Sequence, residues 1–158
     1  MADGKEWTTD NLNVNVDRSY CYDDAELNCR RFGRLYTFES ARQGCQSLGA
    51  GWRLPTNDEW KQLARFYGGL REETDDKGKA AYKALLTGGE TGFNALLGGD
   101  RSPDGHYERL DAHGFYWTAS ENDGGGAWFY NFGRGELSLN RHSGGEKLMA
   151  ASARCVRE

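Results

Sequence analysis

Proline is nearly absent, with two in 158 residues, and no apolar run approaches the roughly 20 residues a membrane-crossing helix needs. The opening residues MADGKEW carry neither a basic head nor an apolar stretch, so no secretion signal or anchor is legible in the chain. Charge of one sign is lacking too. Twenty basic and 24 acidic residues are interspersed, leaving a net charge of −4 and none of the basic patches that hold a phosphate backbone. Nucleic acid is therefore not an expected partner. The four cysteines, Cys21, Cys29, Cys45 and Cys155, include no CxxC pair and no histidine at zinc-ligand spacing, which argues against a metal cluster. Disulfides suit them better. Three connectivities are open to four cysteines, and in a reducing compartment all four would serve as small buried hydrophobes.

What is present is glycine, at 22 residues, and aromatic area: five Trp, eight Tyr and seven Phe in a chain of low mean hydropathy. The rings supply burial that aliphatic side chains usually provide, which excludes disorder and suits one domain over residues 1–158. Phe38, Ala41, Cys45 and Leu48 recur at helical spacing before Gly49. Thr56 and Glu59 form a T-x-x-E capping box ahead of the stripe Trp60, Leu63, Ala64 and Tyr67, which Gly68-Gly69 ends. A charged stretch from residue 71 leads to a short helix, AAYKALL, expected at the surface. Beyond Gly92 the runs FNALL, GFYWTAS, AWFYNF, ELSLNR and SARCVRE read as strands between glycine-rich turns. Helices first and strands afterwards predict an α+β fold, with helices on one side of a small, mostly antiparallel sheet.

The strings FGRLYTFESARQGC, GWRLPTNDEWKQL, GFYWTASE, AWFYNF and SARCVRE, with the opening DGKEWTTDNLNV, resemble the family called the Fibrobacter-type major paralogous domain. That family is related to the formylglycine-generating, sulfatase-modifying variant of the C-type lectin fold. The resemblance implies paired terminal strands, two helices flanking the sheet, and long glycine-rich loops that display ligand-binding residues. Lectin-type domains often bridge the first helix to the last strand, so it also implies a Cys45–Cys155 disulfide, leaving Cys21 to pair with Cys29. The implied setting is extracellular or the cell surface.

Catalysis finds little support. The sulfatase-modifying relatives use two closely spaced C-terminal cysteines, and no cysteine lies between residues 46 and 154 here, so Cys155 reads as structural. His106, His113 and His142 lie far apart and read as exposed turn histidines. No cofactor is expected. The one metal candidate is calcium in GDRSPDGHYERLD, where Asp100, Ser102, Asp104, Glu108 and Asp111 fall at loop positions 1, 3, 5, 9 and 12. Tyr107 and Asp111 depart from that pattern, and the sugar-binding motifs E-P-N and W-N-D of calcium-dependent lectins are missing.

The stronger functional signal is the alternation in AWFYNFGRGELSLNRH. With Trp128, Tyr130, Phe132, Leu137 and Leu139 facing a core, the residues Phe129, Asn131, Arg134, Glu136, Ser138 and Asn140 point outward. His142 and the turn residues Asn122 and Asp123 complete the expected ligand-binding set. An exposed aromatic among Arg, Asn, Ser and His suits recognition of a protein or a cell-surface glycan. The segment AWFYNFGRGEL further resembles the form A-W-x-V-x-F-x-x-G-x-V that diversity-generating retroelements rewrite in some lectin-fold proteins, which would make the outward positions variable. The expectation is a non-catalytic recognition domain. Its rivals are a formylglycine-generating-type oxidase and a structural surface module.

Overall fold

The computed structural model describes residues 1–158 as a mixed α+β protein with four α-helices and small antiparallel sheets. In chain order these are β1 (Glu6–Trp7), β2 (Ser19–Tyr20), α1 (Glu26–Phe32), β3 (Leu35–Tyr36), α2 (Phe38–Gln46), α3 (Asn57–Phe66), α4 (Lys79–Leu85), β4 (Asp100–Arg101), β5 (Tyr107–Glu108), β6 (His113–Glu121), β7 (Ala127–Gly133), β8 (Ser138–Gly145) and β9 (Val156–Arg157). The main sheet runs β6-β7-β8, and β1 pairs with β9 so that the two ends of the chain meet. No helix is long and apolar enough to cross a membrane.

Local chemistry accounts for the best-formed helices. Thr37 accepts the Ser40 N–H at the start of α2. At α3, Glu59 N–H donates to Thr56 Oγ1 (3.2 Å) and Thr56 N–H donates to Glu59 Oε1 (2.9 Å), the reciprocal pair that satisfies two otherwise orphaned donors. Glu59 also takes a two-pronged contact from Arg53, at 2.6 and 2.9 Å. Burial opposes its ionisation, but the guanidinium and the Thr56 N–H outweigh that and hold the carboxyl at about 2.

Several expectations require correction. α2 ends at Gln46, and Leu48, assigned to its buried stripe, lies beyond it and is 39% exposed. The surface helix α4 instead buries Ala81, Tyr82 and Leu85 in the same cluster as Trp60 and Leu139. FNALL is no strand: Asn94 takes φ 57° and a single bridge joins Ala95 to Leu86, although Phe93, Ala95 and Leu97 are buried. In SARCVRE only Val156 and Arg157 are extended partners of β1, while Ser152, with Ala150 and Ala151 just before the run, makes isolated bridges to the rest of the fold, Ala150 to Arg101, Ala151 to Tyr36 and Ser152 to Tyr116. α1 has no sequence-level expectation behind it, having no capping side chain and only Cys29 and Phe32 buried.

The helices lie on both faces of the sheet, not one. On one face Tyr116, Tyr130, Phe132 and Leu139 pack with residues of α3 and α4. Trp60 is central, stacked on Tyr130 (5.2 Å, 18° between planes) and edge-on to Trp7 and Phe93. On the other face Phe115, Trp117 and Ala127 pack with Phe38 and Ala41 of α2, and with Cys45 and Cys155. Those two cysteines are bonded, with Cα atoms 5.5 Å apart, as are Cys21 and Cys29 at 4.9 Å. The sheet therefore has no fully outward row. Its second face is covered at the Trp117 end and open at the other.

Candidate recognition cavity

On that second face the antiparallel register sets three rows side by side. His113, Gly133 and Ser138 form the first, Phe115, Asn131 and Asn140 the second, and Trp117, Phe129 and His142 the third. The rings hold one another in place. His113 stacks on Phe115 (5.4 Å, 5°), His142 on Phe129 (5.0 Å, 27°), and the two phenyl rings meet edge to face at 5.6 Å. His113 Nδ1 donates to Asn131 Oδ1 at 2.9 Å. Where the strands end, a cavity of about 460 Å³ opens, lined by Arg71, His113, Asn131, Gly133, Gly135, Glu136, Ser138, Asn140 and His142. Not one lining residue is hydrophobic. A Cβ at Gly133 would stand 3.4 Å from His113 Cε1, so glycine there keeps the space between His113 and Ser138 clear.

Five of the expected site residues thus meet at one place: Asn131, Glu136, Ser138, Asn140 and His142. Ser138 does so while only 6% exposed, a correction to its outward assignment. Phe129 is half-buried between Phe115, Trp117 and His142 and supports the cavity from beside it. Arg134 is exposed in the β7–β8 turn, outside the cavity lining. Leu137, expected in the core, takes φ 50° in that turn and is 37% exposed. Trp128 is half-buried under the Arg141 guanidinium, 4.8 Å from its ring, and is not part of either main core.

Asn122 and Asp123 lie in the β6–β7 turn at the other end of the strands. There Asn122 Oδ1 accepts the N–H groups of Gly124 (2.7 Å) and Gly126 (3.0 Å), and its amide donates to Ser143 O, so it shapes the turn. His113, Arg71 and the glycines Gly133 and Gly135 are the cavity residues that sequence reasoning missed. For His113 the signal was the alternation of HGFYWTAS continued one step upstream; Arg71 joins through Glu136, its ion-pair partner, and no sequence signal links the two.

The calcium reading is not supported by the geometry. Asp100 is buried against Arg109 (3.0 and 3.2 Å), and Asp104 bonds Ser102 and His106, closing a β4–β5 hairpin. Asp111 takes φ 62° in a later turn, and no three acidic, histidine or cysteine side chains gather as metal ligands. His106 is the exposed turn histidine expected, whereas His113 and His142 are half-buried strand residues.

Burial, and secondarily the charge of His113, pushes the His142 imidazole below its usual value of 6.5. The unfolded chain then binds the proton more readily than the folded one. The associated stability is complete above pH 6.5 and is lost as pH falls through the lower folded value. His142→Gln should therefore flatten the decline in melting temperature between pH 7 and pH 5 relative to the unsubstituted protein. Parallel melting curves for the two proteins would contradict the assignment.

A disulfide-bonded α+β domain with one polar cavity at the end of its main sheet is the class that fold and site define. The family described as the Fibrobacter succinogenes major domain matches residues 1–157, and the chain belongs to that family. Comparison with curated proteins and with solved structures finds no match.

Proposed function

We propose that this is a non-catalytic recognition domain of the C-type lectin fold in its formylglycine-generating variant, binding a protein or a cell-surface glycan through β7, β8 and the turn between them. The observation that carries the reading is the cavity itself, where side chains far apart in the sequence converge and present polar groups to solvent. Paired terminal strands and the Cys45–Cys155 bridge favour the lectin-type fold, and two disulfides favour an oxidising, extracellular setting. The oxidase rival needs a reactive thiol, and all four cysteines are bonded. Placement of Asn131, Glu136, Ser138, Asn140 and His142 around one opening also suits a retroelement-diversified surface. Sequences of the same locus from sibling strains should then differ mainly at those positions.

The test is retention of the fluorescently labelled domain on intact bacterial cells and on an array of immobilised cell-surface glycans and proteins. Joint Asn131→Ala and Asn140→Ala substitution should reduce retention at least tenfold while costing roughly 2 kcal/mol of stability, about 1 kcal/mol for each of the two hydrogen bonds lost. Asn122→Ala, at the far turn, should leave retention unchanged. Equal retention by all three proteins would remove the cavity from the function, and copper-dependent thiol oxidation by the purified domain would favour the oxidase.

A further inference from the structure

We infer that the cavity is a metal-independent site for a neutral saccharide; the inference rests on the recognition reading above and narrows its ligand. No hydrophobic residue lines the cavity, so it offers neither an apolar small molecule nor an apolar peptide side chain the buried anchor on which such complexes depend. Its two permanent charges cancel, because Arg71 and Glu136 pair with each other at the rim. Burial keeps His142 neutral at pH 7, so a strongly anionic or cationic ligand finds no net opposite charge. What remains is Asn131, Ser138, Asn140, His113 and His142, whose side chains together carry both donors and acceptors.

Much of that capacity is unused within the protein. Asn131 Oδ1 accepts from His113 and Asn140 Oδ1 accepts the Arg141 N–H (2.9 Å), but neither amide nitrogen, nor Ser138 Oγ, nor the His142 ring has a protein partner. Asn131 and Asn140 are direct cross-strand neighbours, so their amides stand together on the same face. A sugar hydroxyl is itself both donor and acceptor, and a ring bearing several of them matches such a mixed array. Phe115 and Phe129, stacked beneath the imidazoles, fix His113 and His142 before a ligand arrives, which lowers the ordering cost of binding. A volume of about 460 Å³ lies within the range of small-ligand sites. The one carboxylate in the lining, Glu136, is taken up by Arg71, so the site lacks the free acidic oxygens on which a calcium-held sugar depends.

Saturation-transfer NMR on the full chain at pH 7.5 in EDTA tests this with methyl hexosides and neutral disaccharides, set beside uronic acids and amino sugars. Neutral probes should bind and shift the imidazole signals of His113 and His142. Asn131→Ala with Asn140→Ala should weaken binding at least tenfold, as should Asn140→Asp, which keeps the shape but removes the amide donors; near-ultraviolet circular dichroism checks that each variant is folded. Silence of the neutral probes, binding confined to the charged ones, or equal affinity in folded variants overturns the inference. If retention on cells still falls in the double variant while the neutral sugars are silent, recognition through the cavity stands and only the saccharide assignment fails.

Discussion

Replacing Cys45 and Cys155 together by alanine should cost about 5 kcal/mol, enough to unfold a domain of ordinary stability. The bridge spans 110 residues, and the unfolded chain regains the entropy of that whole ring when it is cut. Cys21 and Cys29 are only eight residues apart, so their joint replacement should cost roughly half as much. Urea titrations of the two double variants provide the comparison, with thiol titration of the denatured, unreduced parent expected to find no free cysteine. Equal losses would show that ring size is not what the bridges contribute.

Trp60→Ala should cost roughly 3–5 kcal/mol, because it empties the centre of the cluster formed by Trp7, Phe93, Tyr116, Tyr130 and Phe132. The Trp60 Nε1–H has no hydrogen-bond partner, so the substitution removes packing and leaves no polar group stranded. Trp60→Phe should consequently lose much less. Thr56→Ala, which removes one half of the capping box, should cost about 1 kcal/mol. Chemical denaturation of the three variants checks the order, and a Thr56→Ala loss as large as that of Trp60→Ala would refute the central role of the ring.

The parts of this fold legible in the sequence are those with local causes. The α3 helix was readable because its cap, its stripe and its terminating glycines all lie within 14 residues, from Thr56 to Gly69. α1 was not, since its seven residues lack a capping side chain and expose Leu27, and the Cys29 bridge to Cys21 helps to fix it. Alternation placed Asn131 and Asn140 on one face and Arg134 outward, but failed at Leu137, which is exposed, and at Ser138, which is buried. Alternation belongs to extended backbone, and β7 ends at Gly133. Nor does a single strand reveal that one face of its sheet is covered and the other partly so: Phe129 looked free because its neighbours Phe115 and His142 come from other strands. The aspartates of residues 100–111 matched a calcium loop by spacing alone, which says nothing of Arg109 taking up the first carboxylate.

Meeting of the chain ends has a mechanical consequence. A pull applied to both termini separates β1 from β9 one residue pair at a time, a weak unzipping geometry, since Glu6 faces Arg157 and Trp7 faces Val156. The load then passes from Cys155 to Cys45 through the disulfide, and residues 46–154 fall inside a covalent ring that carries no tension. Only residues 1–21, 29–45 and the last few can pay out, roughly 140 Å at full extension, because the Cys21–Cys29 bridge takes the residues between those two cysteines off the path as well. The cavity side chains of the main sheet, all within the ring, lie off the load path, and they lose their support only when straightening of the N-terminal part strips Phe38 and Ala41 from the sheet's second face and Trp7 from Trp60.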